Sequence, residues 1–260
     1  MYESSAKLDV LEMCVLPAII YACEVWGNNY SAIETIYRTG LKAALGVRAS
    51  TNNEIIYTES GRHPLEGRIK KLQYKFWSKT LVYAQENPDS AIAKVLRHKS
   101  INSLSFVKYY NNLLTEFSNP AFCEMSIDAR HRSKWKNKLS SAMDTDPDCK
   151  LGTYMRVNPE LKPFSIVPQA MLEGERTLIT RFRTGSHSLA IEVGRFSNIE
   201  RSQRLCKCKG GVQSVLHVFK DCQLTKDIHG GRYKNLQDVF SDPDVGNLLL
   251  KITSVLKVAI

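Results

Sequence analysis

Apolar residues recur along this chain at intervals of three and four, the spacing of one helical face. Between residues 31 and 45, Ile33, Ile36, Tyr37, Leu41 and Ala44 share such a face. Ser31-x-x-Glu34 has the form of a capping box at its start, and Gly46 supplies a left-handed close at its end. A short element over 52–59 follows, stopped by Gly61. Pro64 then opens a longer helix, since proline is tolerated in a first turn. Leu65, Ile69, Leu72, Phe76 and Tyr83 mark its buried face. Asn87-Pro88 reads as the cap and first turn of a further helix running to Leu96.

Beyond residue 100 the pattern loosens. One amphipathic helix is predicted from Ile127 to Leu139, burying Ile127, Trp135 and Leu139. Pro147, Pro159, Pro163 and Pro168 make 144–168 turn-rich and the best candidate boundary. A helix resumes near Ala170, with Met171, Leu178 and Phe182 on one side and Arg176 and Arg183 on the other, and Gly185 ends it. Leu236–Phe240 and Val245–Val258 are predicted closing helices, the second burying Leu248, Leu249, Ile252, Leu256 and Val258. Strand signals are sparse. The expectation is a mainly α fold: a helical region over 1–143, a linker over 144–168, and a helical C-terminal domain over 169–260.

Composition sharpens this little. With 260 residues and 43% apolar content the chain can bury a core. It has no apolar run of membrane-spanning length and no signal-peptide pattern at its start, so an intracellular protein, nuclear or cytoplasmic, is expected. Seven cysteines, most of them scattered, fit a reducing compartment. A net charge of +10 points to a polyanionic partner, RNA or DNA; the competing reading is plain solubility.

Cations recur as stripes. Arg68, Lys71, Lys75 and Lys79 run beside one apolar face, and Arg130, Lys134 and Lys138 beside another. Such rows can track phosphates, with Tyr74, Trp77 and Trp135 placed to stack on bases. The alternative is solvated helix faces above core aromatics. The Asp144-x-Asp146-x-Asp148 cluster lacks the glycine and distal glutamate of a calcium loop and reads as a solvated turn. No phosphate-binding glycine loop, dinucleotide fingerprint or nucleophile elbow is present, so no catalytic residue is assigned.

One constellation carries metal chemistry: Cys206-x-Cys208, eight residues, His217, four residues, Cys222. Three thiolates and an imidazole are the donors of a closed, tetrahedral, structural zinc site. Gly210 and Gly211 let the backbone turn over the metal. The Cys-x-Cys spacing is one residue tighter than usual, and the competing reading is three reduced cysteines near a buried histidine. His229, seven residues past Cys222, is expected as an exposed polar residue.

Two stretches are similar to the C-terminal part of non-LTR (LINE-type) retrotransposon reverse transcriptases. The first is VLPAIIYACEVWG, Val15 to Gly27, followed by IETIYRTGLKAALGV and TESGRHPLEGRI. The second runs from Arg181 to Thr225: Gly185-Ser186-His187-x-Leu189, Glu192-x-Gly194-Arg195-Phe196, Cys206-x-Cys208, Val212-Gln213, and His217-Val218 with Cys222. The resemblance implies a thumb-like and connector region followed by a small zinc-knuckle-like Cys-His module. It implies phosphate contacts from the two stripes together with Arg181, Arg183 and Arg195. Val215 and Leu216 stand where the family often has an acidic residue, and Ile228-His229 where it often has an arginine. The catalytic aspartates of the palm are not in this sequence, so the resemblance implies a fragment of an RNA-directed DNA polymerase that does not polymerise alone. In the intact parent it would bind template RNA or target DNA during target-primed reverse transcription. The rival expectation is a domesticated or decaying remnant acting as a protein-interaction scaffold.

Overall fold

The computed structural model of the protein describes residues 3–26, 29–98, 104–146, 148–164 and 172–258, with residues 3–5 and 26 described for their backbone alone. Among these residues the fold is mainly α, as the periodicity predicts, and the one strand-like feature is an antiparallel bridge between Leu205 and Val212. Gly27, Pro147, Pro168, Ala170 and Met171, which enter the sequence expectations, lie outside the described residues.

The chain forms two compact units. One comprises Met1–Glu12, Arg38–Arg62 and Trp135–Ile260; the other comprises Met13–Tyr37 and His63–Lys134. The second unit is organised by the helix Leu65–Glu86, which packs against Cys23–Trp26, Ala91–Arg97 and Ser105–Glu116. Its N-terminus is held by a long-range contact. The buried Glu34 carboxylate accepts the Leu65 N–H at 2.8 Å, so it serves the first turn of this helix. The buried face follows prediction at Leu65 and Ile69 but departs from it further on. Phe76 and Tyr83 are exposed, while Gln73 and Trp77 are buried. The cause is polar and aromatic complementarity: Trp77 stacks on Tyr110 and donates to Asn111 Oδ1 at 2.9 Å. The Tyr109 hydroxyl donates to Gln73 Oε1 at 2.8 Å. Asn87 ends this helix, and Ser90, whose hydroxyl accepts the Ala93 N–H, caps the next one over Ala91–Arg97; the predicted Asn87-Pro88 start is corrected accordingly.

In the first unit, Glu173–Thr184 and Val245–Leu256 pack face to face, with Gln223–His229 beside the latter. Leu178, Ile179, Phe182, Leu249 and Ile252 sit in its main core. Gly185 adopts φ +65 and closes Glu173–Thr184 in a left-handed cap. The segment 144–168, expected as turns, carries the helix Lys150–Val157. Its prolines flank a stretch whose Cys149 Sγ caps Gly152 N–H at 3.2 Å and whose Tyr154, Met155 and Val157 are buried. The expected helix over Ile127–Leu139 is the centre of a longer one, Pro120–Thr145.

A buried polar network joins the helices of this unit. Arg183 donates through Nε to Glu59 Oε2 at 2.9 Å and through Nη2 to Oε1 at 2.8 Å. The Tyr154 hydroxyl donates to Glu59 Oε1 at 2.8 Å, and Asn158 Nδ2 donates to the Tyr154 oxygen and to Lys162 O. The Arg183 guanidinium lies over the Phe164 ring at 4.1 Å. The side chains of Arg183 and Glu59 are 7% and 0% exposed. The expectation that Arg183 points away from the apolar side is therefore corrected: a charged group can face the core where an opposite charge meets it in a bidentate pair.

Arg183→Met strands a buried carboxylate and is expected to cost about 3–5 kcal/mol in urea unfolding of the whole chain. The double change Arg183→Met with Glu59→Gln recovers most of that loss. A single-variant loss below about 1 kcal/mol, the scale of an exposed pair, would contradict this role.

Candidate metal centre

The residues from Arg204 to His229 build a knuckle followed by two short helices. Cys206 N–H donates to Gly211 O at 2.8 Å and Gln213 N–H to Arg204 O at 2.9 Å, which pairs the two arms of the hairpin. Lys209 N–H donates to Cys206 O, with Lys209 at φ +62 and Gly211 at φ +153. The second value is one that only glycine adopts readily. This tight reversal carries Cys206 and Cys208 on one side of the site. Ser214 caps the helix Val215–Lys220 by accepting the His217 N–H at 3.1 Å. Cys222 lies at the start of Gln223–His229, its N–H bonded to His217 O at 2.9 Å. Thr225 bonds back to Val218 O and so locks the two helices together.

These elements bring four donor atoms together, one each from Cys206, Cys208, His217 and Cys222, all within 4.8 Å of one another. The Cys206 and Cys222 sulfurs are 3.6 Å apart, and Cys208 Sγ is 3.2 Å from His217 Nε2. The group can hold a metal ion. In a tetrahedral shell with metal–sulfur bonds of about 2.3 Å and metal–nitrogen bonds of about 2.0 Å, sulfurs lie about 3.8 Å apart and sulfur and nitrogen about 3.5 Å apart. The two short separations are close to these values. Cys206, His217 and Cys222 are buried and Cys208 is partly open.

Local electrostatics divide the four donors: Cys208 and His217 shift toward the metal-binding form and Cys206 away from it. Burial pushes the Cys206 thiol up to about 11, and the neighbouring thiols add to the rise. For Cys208 burial opposes ionisation, but the Gly210 N–H and the neighbouring cysteines outweigh it and the net shift is downward. Burial also lowers the His217 pKa, against the opposing charge of Asp221, and favours the neutral ring that a metal needs.

The sequence motif preceding the cysteines holds the module in place. The Ser186 hydroxyl accepts the Arg48 N–H at 2.7 Å, and His187 Nδ1 accepts the Leu189 N–H at 3.3 Å. Glu192 is buried with Lys150 at 3.7 Å and Arg195 at 3.4 Å. Gly194 is needed for space, since a Cβ there would lie 2.7 Å from Arg204 Cγ. Gln213, within the Val-Gln pair, accepts the Ala190 N–H at 2.7 Å and reaches Cys206 Sγ at 4.0 Å. It ties the helix Ala190–Phe196 to the ligand set, a role no sequence pattern marked beyond its place in the motif. His229 is 2% exposed, its Nδ1 accepting the Gly231 N–H, and the expectation of an exposed residue is corrected. The rings of Phe219 and Tyr233 cover it.

The predicted phosphate contacts divide sharply. Lys75, Lys79 and Lys134 are exposed and have no ion pair among the described residues, and Arg68 is half-buried. Lys71 is bound to Glu124 at 2.6 Å, Arg130 to Glu116 at 3.1 Å, and Lys138 to Glu54 at 2.5 Å. Arg181 Nε donates to Gly46 O at 2.9 Å, and Arg195 is exposed beside Glu192. Arg183 is buried against Glu59 and is not available to a ligand, which corrects its assignment. Trp77 and Trp135 are also buried, Trp135 stacked on Tyr57 at 5.4 Å, so neither presents a face to a base. Tyr74 packs at the edge of the Leu113, Phe117 and Ile127 cluster.

His187 generates a pH prediction. Burial, reinforced by the charges of Lys150, Arg48 and Arg195, lowers its pKa from 6.5 to about 3. A depressed histidine takes up its proton first in the unfolded chain, so stability falls as pH drops below about 6.5 and levels off below about 3. Between pH 7 and pH 5 this group alone removes about 2 kcal/mol. His187→Asn is expected to flatten urea-midpoint curves over that interval, and an unchanged slope would contradict the assignment.

Set against known proteins, the chain matches no protein-family model, no curated protein sequence and no solved structure.

Proposed function

We propose that Cys206, Cys208, His217 and Cys222 hold a structural zinc ion. We further propose that the chain is a nucleic-acid-binding part of a retroelement reverse transcriptase, gripping template RNA or target DNA. The convergence of the four donors carries the first half. Three thiolates and an imidazole favour zinc over the hard cations, which take oxygen ligands. Four protein ligands leave no position for a reacting water, so the ion's role is to hold the knuckle against the helices. The retroelement reading rests on the ordered motifs between Arg181 and Thr225.

Charge supports a polyanionic partner. Between residues 195 and 234 there are nine basic and three acidic side chains. Lys207 and Lys209 flank Cys208 on the knuckle, and Lys220 and Lys226 lie on the two following helices, exposed and without ion pairs among the described residues. A zinc ion with three thiolates carries one net negative charge, which leaves the module strongly basic. These lysines, with Lys75, Lys79 and Lys134, replace the paired cations as the best phosphate contacts. The internal pairing of Lys71, Arg130, Lys138 and Arg183 favours the rival reading, a helical scaffold that binds no nucleic acid.

Two measurements separate these readings. Elemental analysis of the purified chain is expected to give about one zinc per molecule. Cys222→Ser is expected to abolish it and lower the thermal midpoint, and a metal-free wild type of equal stability would overturn the zinc assignment. Filter binding of single-stranded RNA and of duplex DNA across a salt series is expected to show affinity falling with salt. Lys207→Gln with Lys209→Gln is expected to reduce the log–log slope by about 1.4–1.8. Zinc-loaded protein that binds neither polymer at low salt would establish the scaffold reading.

A further inference from the structure

The unit that carries the Cys-His module has a second feature, independent of the metal and of the proposed function. A small cavity of about 40 Å³ lies between the N-terminal half of the helix Glu173–Thr184 and the turn that ends Ser31–Ala44. Lys7, Glu173, Arg176, Thr177 and Thr180 contribute to its wall. The turn is fixed against the helix at two points. Gly46, at φ +66, comes so close that a Cβ would lie 2.9 Å from Thr177 Cγ2, and Arg181 Nε donates to Gly46 O at 2.9 Å.

Three arginines project from this helix, and two have matched partners: Arg181 on Gly46 O and Arg183 on Glu59. Arg176 differs. Its Nε is buried without a hydrogen-bond acceptor, and its guanidinium makes no hydrogen bond or ion pair among the described residues. The side chain is half-buried, but a buried N–H left unmatched still costs free energy. The nearby carboxylates do not relieve it. Glu175 accepts the Leu172 N–H at 3.1 Å, and Glu173 is paired with Lys7. Two cations and one carboxylate leave the cavity with a positive excess. The first turn of this helix and the last turn of Ser31–Ala44 present opposite dipole ends to the cavity, so its side chains set the sign.

We propose that this cavity is an oxyanion site that takes a phosphoryl group. A water fills about 30 Å³ in the liquid, so the space admits one oxygen, held by Arg176 Nε, while the remaining oxygens face Lys7 and the Thr177 hydroxyl. Three donors from two chain segments, Lys7 on one and Arg176 with Thr177 on the other, suit a tetrahedral oxyanion better than a planar carboxylate. The phosphoryl group comes either from a free phosphate-bearing molecule or from a nucleic-acid backbone.

The test follows the arginine Nε–H resonances of the full chain, with Arg176 identified through Arg176→Lys. Inorganic phosphate, titrated at constant ionic strength, is expected to shift that resonance saturably, and acetate to leave it nearly unmoved. Lys7→Gln, at an exposed position, is expected to weaken phosphate binding about fivefold, the scale of a surface charge contact. Arg176→Gln, checked for an unchanged thermal midpoint without phosphate, is expected to abolish it; should that variant unfold, the Lys7→Gln titration decides. A thymidine octanucleotide that moves the same resonance at lower concentration identifies the backbone as the source, and one that leaves it in place identifies a free phosphate. No saturable shift with phosphate, a shift equal with acetate, or undiminished binding in Lys7→Gln would overturn the proposal and leave an ordered water as the occupant. None of these outcomes depends on zinc.

Discussion

The bidentate pair between Arg183 and Glu59 is the constraint around which the larger unit is arranged. Glu59 sits on Asn53–Ser60, Tyr154 on Lys150–Val157 and Arg183 on Glu173–Thr184, and one carboxylate satisfies both side chains. Removing two charges from water is costly, and good geometry with added hydrogen bonds is what offsets it. The network supplies two guanidinium hydrogen bonds, a phenol, and aromatic rings over the guanidinium face. Such a set tolerates little change in helix position, because each displaced group would be left buried and unpaired.

The same helix connects this core to the Cys-His group that can hold a metal. Phe182 packs in the main cluster, Gly185 turns the chain, Ser186 accepts the distant Arg48 N–H and His187 accepts the Leu189 N–H. Gln213 then joins Ala190–Phe196 to Cys206. Most of the motif between Gly185 and Gln213 thus has a packing or hydrogen-bonding role that supports the four ligands. Residues at the module's surface, the knuckle lysines among them, are free of such duties. Support of the four donors and the exposed basic charge are therefore carried by different side chains within the same forty residues.

The cation stripes show what periodicity alone leaves out. Arg68 to Lys79 and Arg130 to Lys138 are regular rows in the sequence, but several of their members have carboxylates brought to them by distant helices. Lys71 and Glu124 are 53 positions apart, and Lys138 and Glu54 are 84 apart. A paired cation has already exchanged part of its hydration for a protein partner and gains less from a phosphate. Conversely Lys207 and Lys209 form no stripe, because a hairpin has no helical period.

The sequence by itself determined the helical class, many helix ends and the ligand set. Those depend on local spacing, on left-handed glycines such as Gly46, Gly61 and Gly185, and on four donors within one short segment. It placed Leu178, Phe182, Leu248, Leu249, Ile252 and Leu256 in the core through their 3.6-residue period. The helix Lys150–Val157 was hidden because its flanking prolines outweigh a short apolar pattern. Tertiary structure alone decided that Arg183 and His229 are buried, that Glu34 serves a helix thirty-one residues away, and that Arg176 is left without an acceptor. Each of those outcomes turns on which polar group meets which across the fold, and local pattern carries no record of that.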